Sequence, residues 1–507
     1  MTTFSELAKN IYLAKKKNIF NFPLQNITLS GKEFINCLVN MSVFFKRLHN
    51  LKKGSHIAIL YQNSVEYILV AFYVILKKLI LVPINPEFTA EEIKKLYHQS
   101  NSKILVTSRK DKKKVKLIKN IIFFDFKKEL KKKNNSKIIL FPKINRFSNC
   151  LLLYTSGSTG LPKGSLLTHD NILGNAEIIA RHHKINNCTK TLVLMPLFHN
   201  NGFVISLISS LLKNAEVIVF QANLIINNFW EIINNYKISY TSLMPAVLSM
   251  ILASKKYDRA SPIEIIVACG GQKLSQGLLK QFEKSFNARI IEHYGLTETT
   301  SISTVNNLEK KKRNLDSVGA PIKGTKLMIY NSTKNSFLKK GYGEICIKGR
   351  NVFSGYYNNN KLNKEKFFKG FLRTGDYGRI GENKELYFSC RKDFLIIKGG
   401  ENIYPAEIEK VIYEIDDVNE CAVVGHKDNI YGEDVYAFVK FYKYSHKRRR
   451  LLDLHLKSNI AKFKLPKKIF YLGYKNLFIN FPKTPSNKIK YGDLKKFLLD
   501  EKKYFNK

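Results

Sequence analysis

Across 507 residues the chain carries only 7 cysteines, 13 prolines and one tryptophan. Cys37, Cys150, Cys188, Cys269, Cys346, Cys390 and Cys421 stand singly. Their number is odd and no pair is spaced C-x-x-C, so neither a disulfide framework nor a zinc site is indicated. That usage fits a reducing cytosol. Long apolar runs are also missing. The longest, Tyr67–Leu76 and Phe203–Leu212, have about ten residues, against about 20 for a membrane span. The opening stretch, MTTFSELAKNIYLAKKKNIF, lacks an apolar core followed by a small-residue cleavage site. A cytoplasmic protein without a transmembrane segment is therefore expected. Acidic residues are scarce: 40 Asp and Glu face 85 Lys and Arg, for a formal charge of +45. Such a balance raises nucleic acid or a membrane surface as partners. The cations are spread along the whole chain, however, and form no zinc-finger, basic-zipper or aromatic-interleaved RNA motif. No specific nucleic-acid partner is expected, and Arg109 to Lys137 reads as a solvated connector.

What is present is a packed protein with 44% apolar residues, too long for one core. Strand-like and helix-like segments alternate. His56–Tyr61, Leu79–Pro83 and Ile104–Thr107 read as strands, and Ser64–Lys77 and Thr89–His98 as helices, with Thr89 a cap before Glu91 and Glu92. The alternation repeats between Thr191 and Ile291. It predicts mostly parallel sheets covered by helices. From about Gly319 shorter strands with glycine turns predict a barrel-like β region. After Cys390 the pattern resets: Asn402–Tyr413 and Leu451–Ala461 read as helices, Glu420–Val424 and Val435–Val439 as strands. The predicted organisation is a large α/β domain, residues 1–390, and a small mobile α+β domain, residues 391–507.

The chemistry concentrates in a few segments. Strand-like Leu151-Leu-Leu-Tyr154 leads into Thr155, Ser156, Gly157, Ser158, Thr159 and Gly160, and Lys163 follows. Glycines let backbone N–H groups converge, hydroxyls add donors and a lysine adds charge, which suits phosphate oxygens. The spacing is not that of a Walker A loop. Further strands end in polar groups, where α/β sheets gather ligands. Gly270 and Gly271 let a flat ring approach. Tyr294 can stack on a base, Thr297 can donate to phosphate, and Glu298 can hold Mg²⁺ with water and phosphate oxygens. Asp376 follows a glycine turn and can accept from two ribose hydroxyls, with Arg391 in reach of the same sugar. Singly, each of these also reads as an ordinary turn residue. Gly399 and Gly400 form a turn, and Lys488 sits on a proline-bounded loop.

In this order the segments YTSGSTGLPKG, HYGLTETT, RTGD, Arg391–Pro405 and PKTPSNK resemble the signatures of the adenylate-forming superfamily. MPLFHNNGF and GGENIYPAEIE resemble its acyl-CoA synthetase branch. The resemblance spans nearly the whole chain. It implies an acid–thiol ligase of fatty acid metabolism: a carboxylic acid, expected to be fatty, attacks the α-phosphorus of ATP, and coenzyme A then displaces AMP. It implies that Lys488 bridges carboxylate and α-phosphate, and that Thr155 to Gly160 with Lys163 surround pyrophosphate. Thr297 and Glu298 take the α-phosphate and Mg²⁺, Gly270, Gly271 and Tyr294 the adenine, and Asp376 and Arg391 the ribose. His199 stands beside the acyl and thiol channel. Asp393 falls at the domain pivot, and Gly399-Gly400 swing in to line the thiol tunnel. Asn200–Phe203, Leu243–Val247 and Leu296–Ile302 supply the acyl pocket. The chain departs from the pattern at Cys390 and Asn487, where Gly is usual, and at Phe394, where many CoA synthetases carry Asp. Two alternatives stay open: transfer to the phosphopantetheine of an acyl carrier protein, and an inactive, polyanion-binding paralogue.

Overall fold

The structure is a computed structural model that describes residues 2–129, 141–155, 162–221, 226–254, 263–272, 274–331, 335–473, 480–483 and 489–499. A seven-stranded sheet runs, in spatial order, Gly355–Tyr356, Lys163–Thr168, Asn149–Thr155, Ile80–Pro83, His56–Leu60, Ser102–Thr107, Ile121–Phe123. Its last five strands are parallel. A nine-stranded sheet is parallel through its centre, Ala288–Tyr294, Ile265–Cys269, Tyr240–Leu243, Lys190–Val193 and Glu216–Val219. The β-rich region predicted after Gly319 is an antiparallel six-stranded sheet that includes Gly341–Gly349, Phe371–Ile380 and Leu386–Arg391.

Local sequence explains the connections. Val65–Leu76 is apolar on almost every side and is buried along its length, as a helix with no polar face must be. Ser64 caps it, and Thr89 forms the expected capping box, with Glu92 rather than Glu91 at the third position. One side chain braces the two large sheets. The Asn63 amide donates to the carbonyls of Met195 (3.1 Å) and Phe220 (3.0 Å) and accepts from Leu197 N–H at 2.8 Å. The Tyr67 hydroxyl donates to the Leu197 carbonyl at 2.7 Å.

The small C-terminal unit has its own core, in which Ile396, Ile403, Ile408, Ile412, Val423 and Val435 pack together. Its helix spans Pro405–Tyr413, so the expected start at Asn402 is corrected. Gly399 (φ +59) and Gly400 (φ +85) make a turn with two positive φ values, which pairs Ile396–Lys398 with Glu401–Ile403 as a hairpin. Pro405 then disfavours helical backbone at Tyr404. The connector expected from Arg109 is corrected as well, because Ile121–Phe123 adds a strand to the first sheet.

Buried histidines, His169, His293 and His183 foremost, make the fold acid-sensitive. Burial pushes the rings of His169 and His293 down to about 4 from an ordinary 6.5. Folded chains hold both rings neutral, and unfolded chains protonate them below about pH 6.5. The unfolded state therefore binds more protons between pH 6.5 and 4, and stability falls as pH falls through that window. The contribution is roughly 3 kcal/mol per ring. Urea unfolding at pH 7.5, 6 and 5 should show this decline. His169→Gln, which keeps an acceptor for Phe4 N–H (3.3 Å from Nδ1 in the native chain), should flatten it in part, since other buried histidines keep their share. An unchanged slope in that variant would count against the assignment.

Candidate nucleotide and acyl site

The parallel strands of the large sheet end together, and the sequence places glycine or a polar residue at those ends. Gly270 follows Ile265–Cys269. A Cβ there would lie 2.4 Å from His293 Nε2 and 2.8 Å from the His293 carbonyl, so only glycine fits against that ring. His293 is 6% exposed, and its Nδ1 has no hydrogen-bond partner among the described residues. Gly271 takes φ +82. At the end of the neighbouring strand the Ser242 hydroxyl donates to Asn201 Oδ1 at 2.5 Å. That contact fixes the start of the π-helix Asn201–Ile208.

Tyr294 closes Ala288–Tyr294 and donates its hydroxyl to Asp376 Oδ2 at 2.7 Å. Asp376 lies in Phe371–Ile380, directly across the ladder from Arg391. Arg391 Nη1 forms an ion pair with Asp376 Oδ1 at 3.0 Å. That oxygen is buried and accepts from no hydroxyl or backbone N–H among the described residues. Burial raises the Asp376 pKa, and Arg391 only partly offsets this. The same carboxylate raises the Arg391 pKa. Burial lifts Tyr294 well above its ordinary range, which keeps it a neutral donor.

Thr297 and Glu298 occupy the short 3-10 turn Thr297–Thr299, both half-buried. The turn is held from behind. Gly295 is required, because a Cβ there would meet the Ser301 carbonyl oxygen at 1.9 Å. Thr300 takes φ +66, ψ −57, costly for a β-branched residue, and its hydroxyl is anchored on the Asn351 carbonyl at 2.7 Å. Asn351 in turn donates to Ser303 Oγ at 2.9 Å and accepts from Thr325 at 2.9 Å. Tyr356 donates to Glu298 Oε1 at 2.9 Å. Asn63, Asn351 and Tyr356 are the supporting residues that sequence reading missed. No local signal in the sequence marks them, and only the fold shows what each one holds.

Thr155 ends Asn149–Thr155 and lies opposite Lys163 in the antiparallel ladder. A strand, Lys163–Thr168, follows the loop, and no helix opens on it. Tyr356 pairs with Ser165 of that strand. The base of the loop is thereby connected through Tyr356 to Glu298, and four residues back to Tyr294. Ser156, Gly157, Ser158, Thr159, Gly160 and Lys488 lie outside the described residues. His199 is exposed, with its ring 4.6 Å from Phe198, on the loop that Asn63 and Tyr67 hold. Gly399 and Gly400 belong to the small unit's own sheet, where Gly399 N–H donates to the Tyr431 carbonyl at 2.8 Å. Among the described residues no group of three His, Cys, Asp or Glu gathers for a metal. Glu298 offers one carboxylate, which suits an ion that keeps waters and phosphate oxygens in its shell.

The profile of the AMP-binding enzyme family matches residues 14–357, and that of the AMP-binding enzyme C-terminal domain matches residues 407–488. The chain is 30% identical over 458 residues to an oxalate–CoA ligase of Arabidopsis thaliana, covering 87% of each. It is 29% identical over 506 residues to a long-chain-fatty-acid–CoA ligase of Bacillus subtilis, covering 90% of this chain and 87% of that one. Among solved structures, O-succinylbenzoate coenzyme A synthetase from Bacillus subtilis, in complex with ATP and magnesium ion, superposes with a TM-score of 0.83 at 27% identity. That match covers 97% of this chain and 99% of the other.

Proposed function

This chain belongs to the AMP-binding enzyme family of adenylate-forming CoA ligases, an acid–thiol ligase, and from that premise we propose that it activates a fatty acid with ATP and Mg²⁺ and passes the acyl group to coenzyme A. The observation that carries the proposal is the cluster of buried Tyr294 and Asp376 with the more exposed Arg391. Its spare carboxylate oxygen suits a ribose hydroxyl, and Glu298 stands four residues away.

The first half-reaction brings a carboxylate to a phosphate, two anions that repel. Positioning and charge neutralisation must supply most of the acceleration. In this proposal Asp376 and Arg391 hold the ribose, and Tyr294 with Gly270 and Gly271 flanks the adenine. Thr297 donates to the α-phosphate. Thr155 to Gly160 and Lys163 receive the pyrophosphate oxygens. Glu298 would hold Mg²⁺, which when bound neutralises phosphate charge. Lys488, on the small domain assigned to residues 391–507, bridges the two reacting oxyanions. After rotation about Asp393, Gly399 and Gly400 line the path of the thiol, and His199 stands beside it. Free cysteines throughout, five of them buried, fit a cytoplasmic location.

A fatty acyl group suits the buried apolar side chains of Phe203 and Val247 in the acyl segments. No basic residue in Asn200–Phe203, Leu243–Val247 or Leu296–Ile302 stands ready to neutralise a second carboxylate. A pyrophosphate-release assay should separate the candidates, with a panel of fatty acids, aromatic acids, oxalate and succinate offered with CoA or with holo-carrier protein. We expect turnover with a fatty acid and CoA. Turnover confined to oxalate would refute the acyl assignment, and transfer only to the carrier would refute the CoA assignment. Release with no acid at all would refute the whole proposal.

A further inference from the structure

The pivot and the lysine loop are joined by one stacked pair. Arg391 ends a strand of the large body, paired with Asp376. Three residues on, Phe394 closes the short turn Lys392–Phe394, and its ring stacks on Tyr491 with centroids 4.8 Å apart and planes at 27°. Tyr491 opens the helix Tyr491–Leu499. Its hydroxyl donates to Glu409 Oε1 at 3.1 Å, and the same oxygen accepts from Val423 N–H at 2.9 Å. Lys495 of that helix reaches the Asp393 carbonyl at 3.4 Å.

Both ends of the segment 484–488 are fixed to the same assembly. Lys483 bridges to Ile489, and Lys490 N–H donates to the Pro482 carbonyl at 2.8 Å. Lys483 Nζ is 2.6 Å from Glu420. Tyr491 thus stands three residues after Lys488, on the fixed side of the loop. The replacement of a carboxylate by Phe394 now has a partner: an apolar ring at the pivot needs an aromatic surface, and Tyr491 supplies it.

We propose that Phe394 and Tyr491 are positioning residues for Lys488, their stack locking the small-domain end of the pivot to the base of the lysine loop so that rotation delivers the ammonium group to one place. The proposal rests on the adenylating function above. Without the stack, the Lys495 contact is left as a weak link between the pivot turn and the helix that follows the loop. Loss of orientation lowers rate without weakening ground-state binding.

The test measures the two half-reactions separately in Phe394→Ala. ATP–pyrophosphate exchange should fall about tenfold in kcat, with KM for ATP and acid within about twofold of wild type. Thioester formation from supplied acyl-adenylate should stay within about twofold, because Gly399 and Gly400 lie outside the stack. Phe394→Tyr should restore exchange, and Tyr491→Phe, which keeps the ring, should nearly match wild type. Undiminished exchange in Phe394→Ala overturns the proposal, as does equal loss in both half-reactions that Phe394→Tyr fails to rescue. Absence of exchange in the wild-type protein overturns the adenylating function and this inference together.

Discussion

Lys488→Ala should lower acyl-adenylate formation by about 10²–10³ and leave thioester formation from supplied acyl-adenylate intact. The expectation follows from the charges. At the moment of attack, carboxylate and α-phosphate oxygens approach each other, and a preorganised ammonium between them is worth most there. The second half-reaction begins from a neutral acyl carbon and a thiol, with AMP as the leaving group, and the proposal moves Lys488 away before it starts. The split is therefore the diagnostic, more than the size of the loss. Lys488→Arg is a useful companion, because it keeps charge but spreads it over a planar fork; it should recover little of the rate if a compact cation is required. Stopped-flow measurement of adenylate formation, beside thioester formation from synthetic acyl-adenylate, gives both numbers. Parallel losses in the two steps would remove Lys488 from the proposed role.

Asp376→Ala should raise KM for ATP about 10- to 100-fold, with a much smaller effect on KM for the acid. Hydrogen bonds to a charged group are worth about 1.5–3 kcal/mol, and this carboxylate faces three claimants. Tyr294 holds one oxygen, Arg391 pairs with the other, and the spare acceptor capacity is assigned to ribose. Asp376→Asn should fall between, since an amide oxygen can still accept from Tyr294 but leaves Arg391 uncompensated. The pH dependence has a definite sign. Burial raises the Asp376 pKa, so in the free protein the acceptor is lost on acidification earlier than an ordinary carboxylate would be. ATP affinity should accordingly weaken as pH falls toward that raised value, and in Asp376→Asn the dependence should disappear. Isothermal titration with ATP across pH resolves this without turnover. Equal ATP affinity in wild type and Asp376→Ala would exclude the ribose contact.

Much of this was legible from the residues. The α/β class, the parallel sheets and the resemblance that named the family could be read because each rests on local signals: apolar period, capping residues, glycine turns and short motifs. What could not be read was long-range. Nothing local tells that Tyr356 reaches Glu298 across 58 positions, that Asn351 anchors a strained Thr300, or that Asn63 receives three backbone groups from beyond position 190. The start of the helix at Pro405 was misplaced because its pattern of apolar residues runs back through a hairpin that only two left-handed glycines reveal. The strand Ile121–Phe123 is apolar but only three residues long, and the lysine-rich stretch around it hid it.

Asn63 carries a mechanical consequence. A side-chain amide that clasps the floor of one sheet while rooted in the loop of another opposes shear between them, at the point where the loop bearing His199 departs. The large body then behaves as an anvil. Whatever displacement the proposed cycle demands is then assigned to the tail unit, and a slackened clasp at position 63 would let the anvil yield under each stroke.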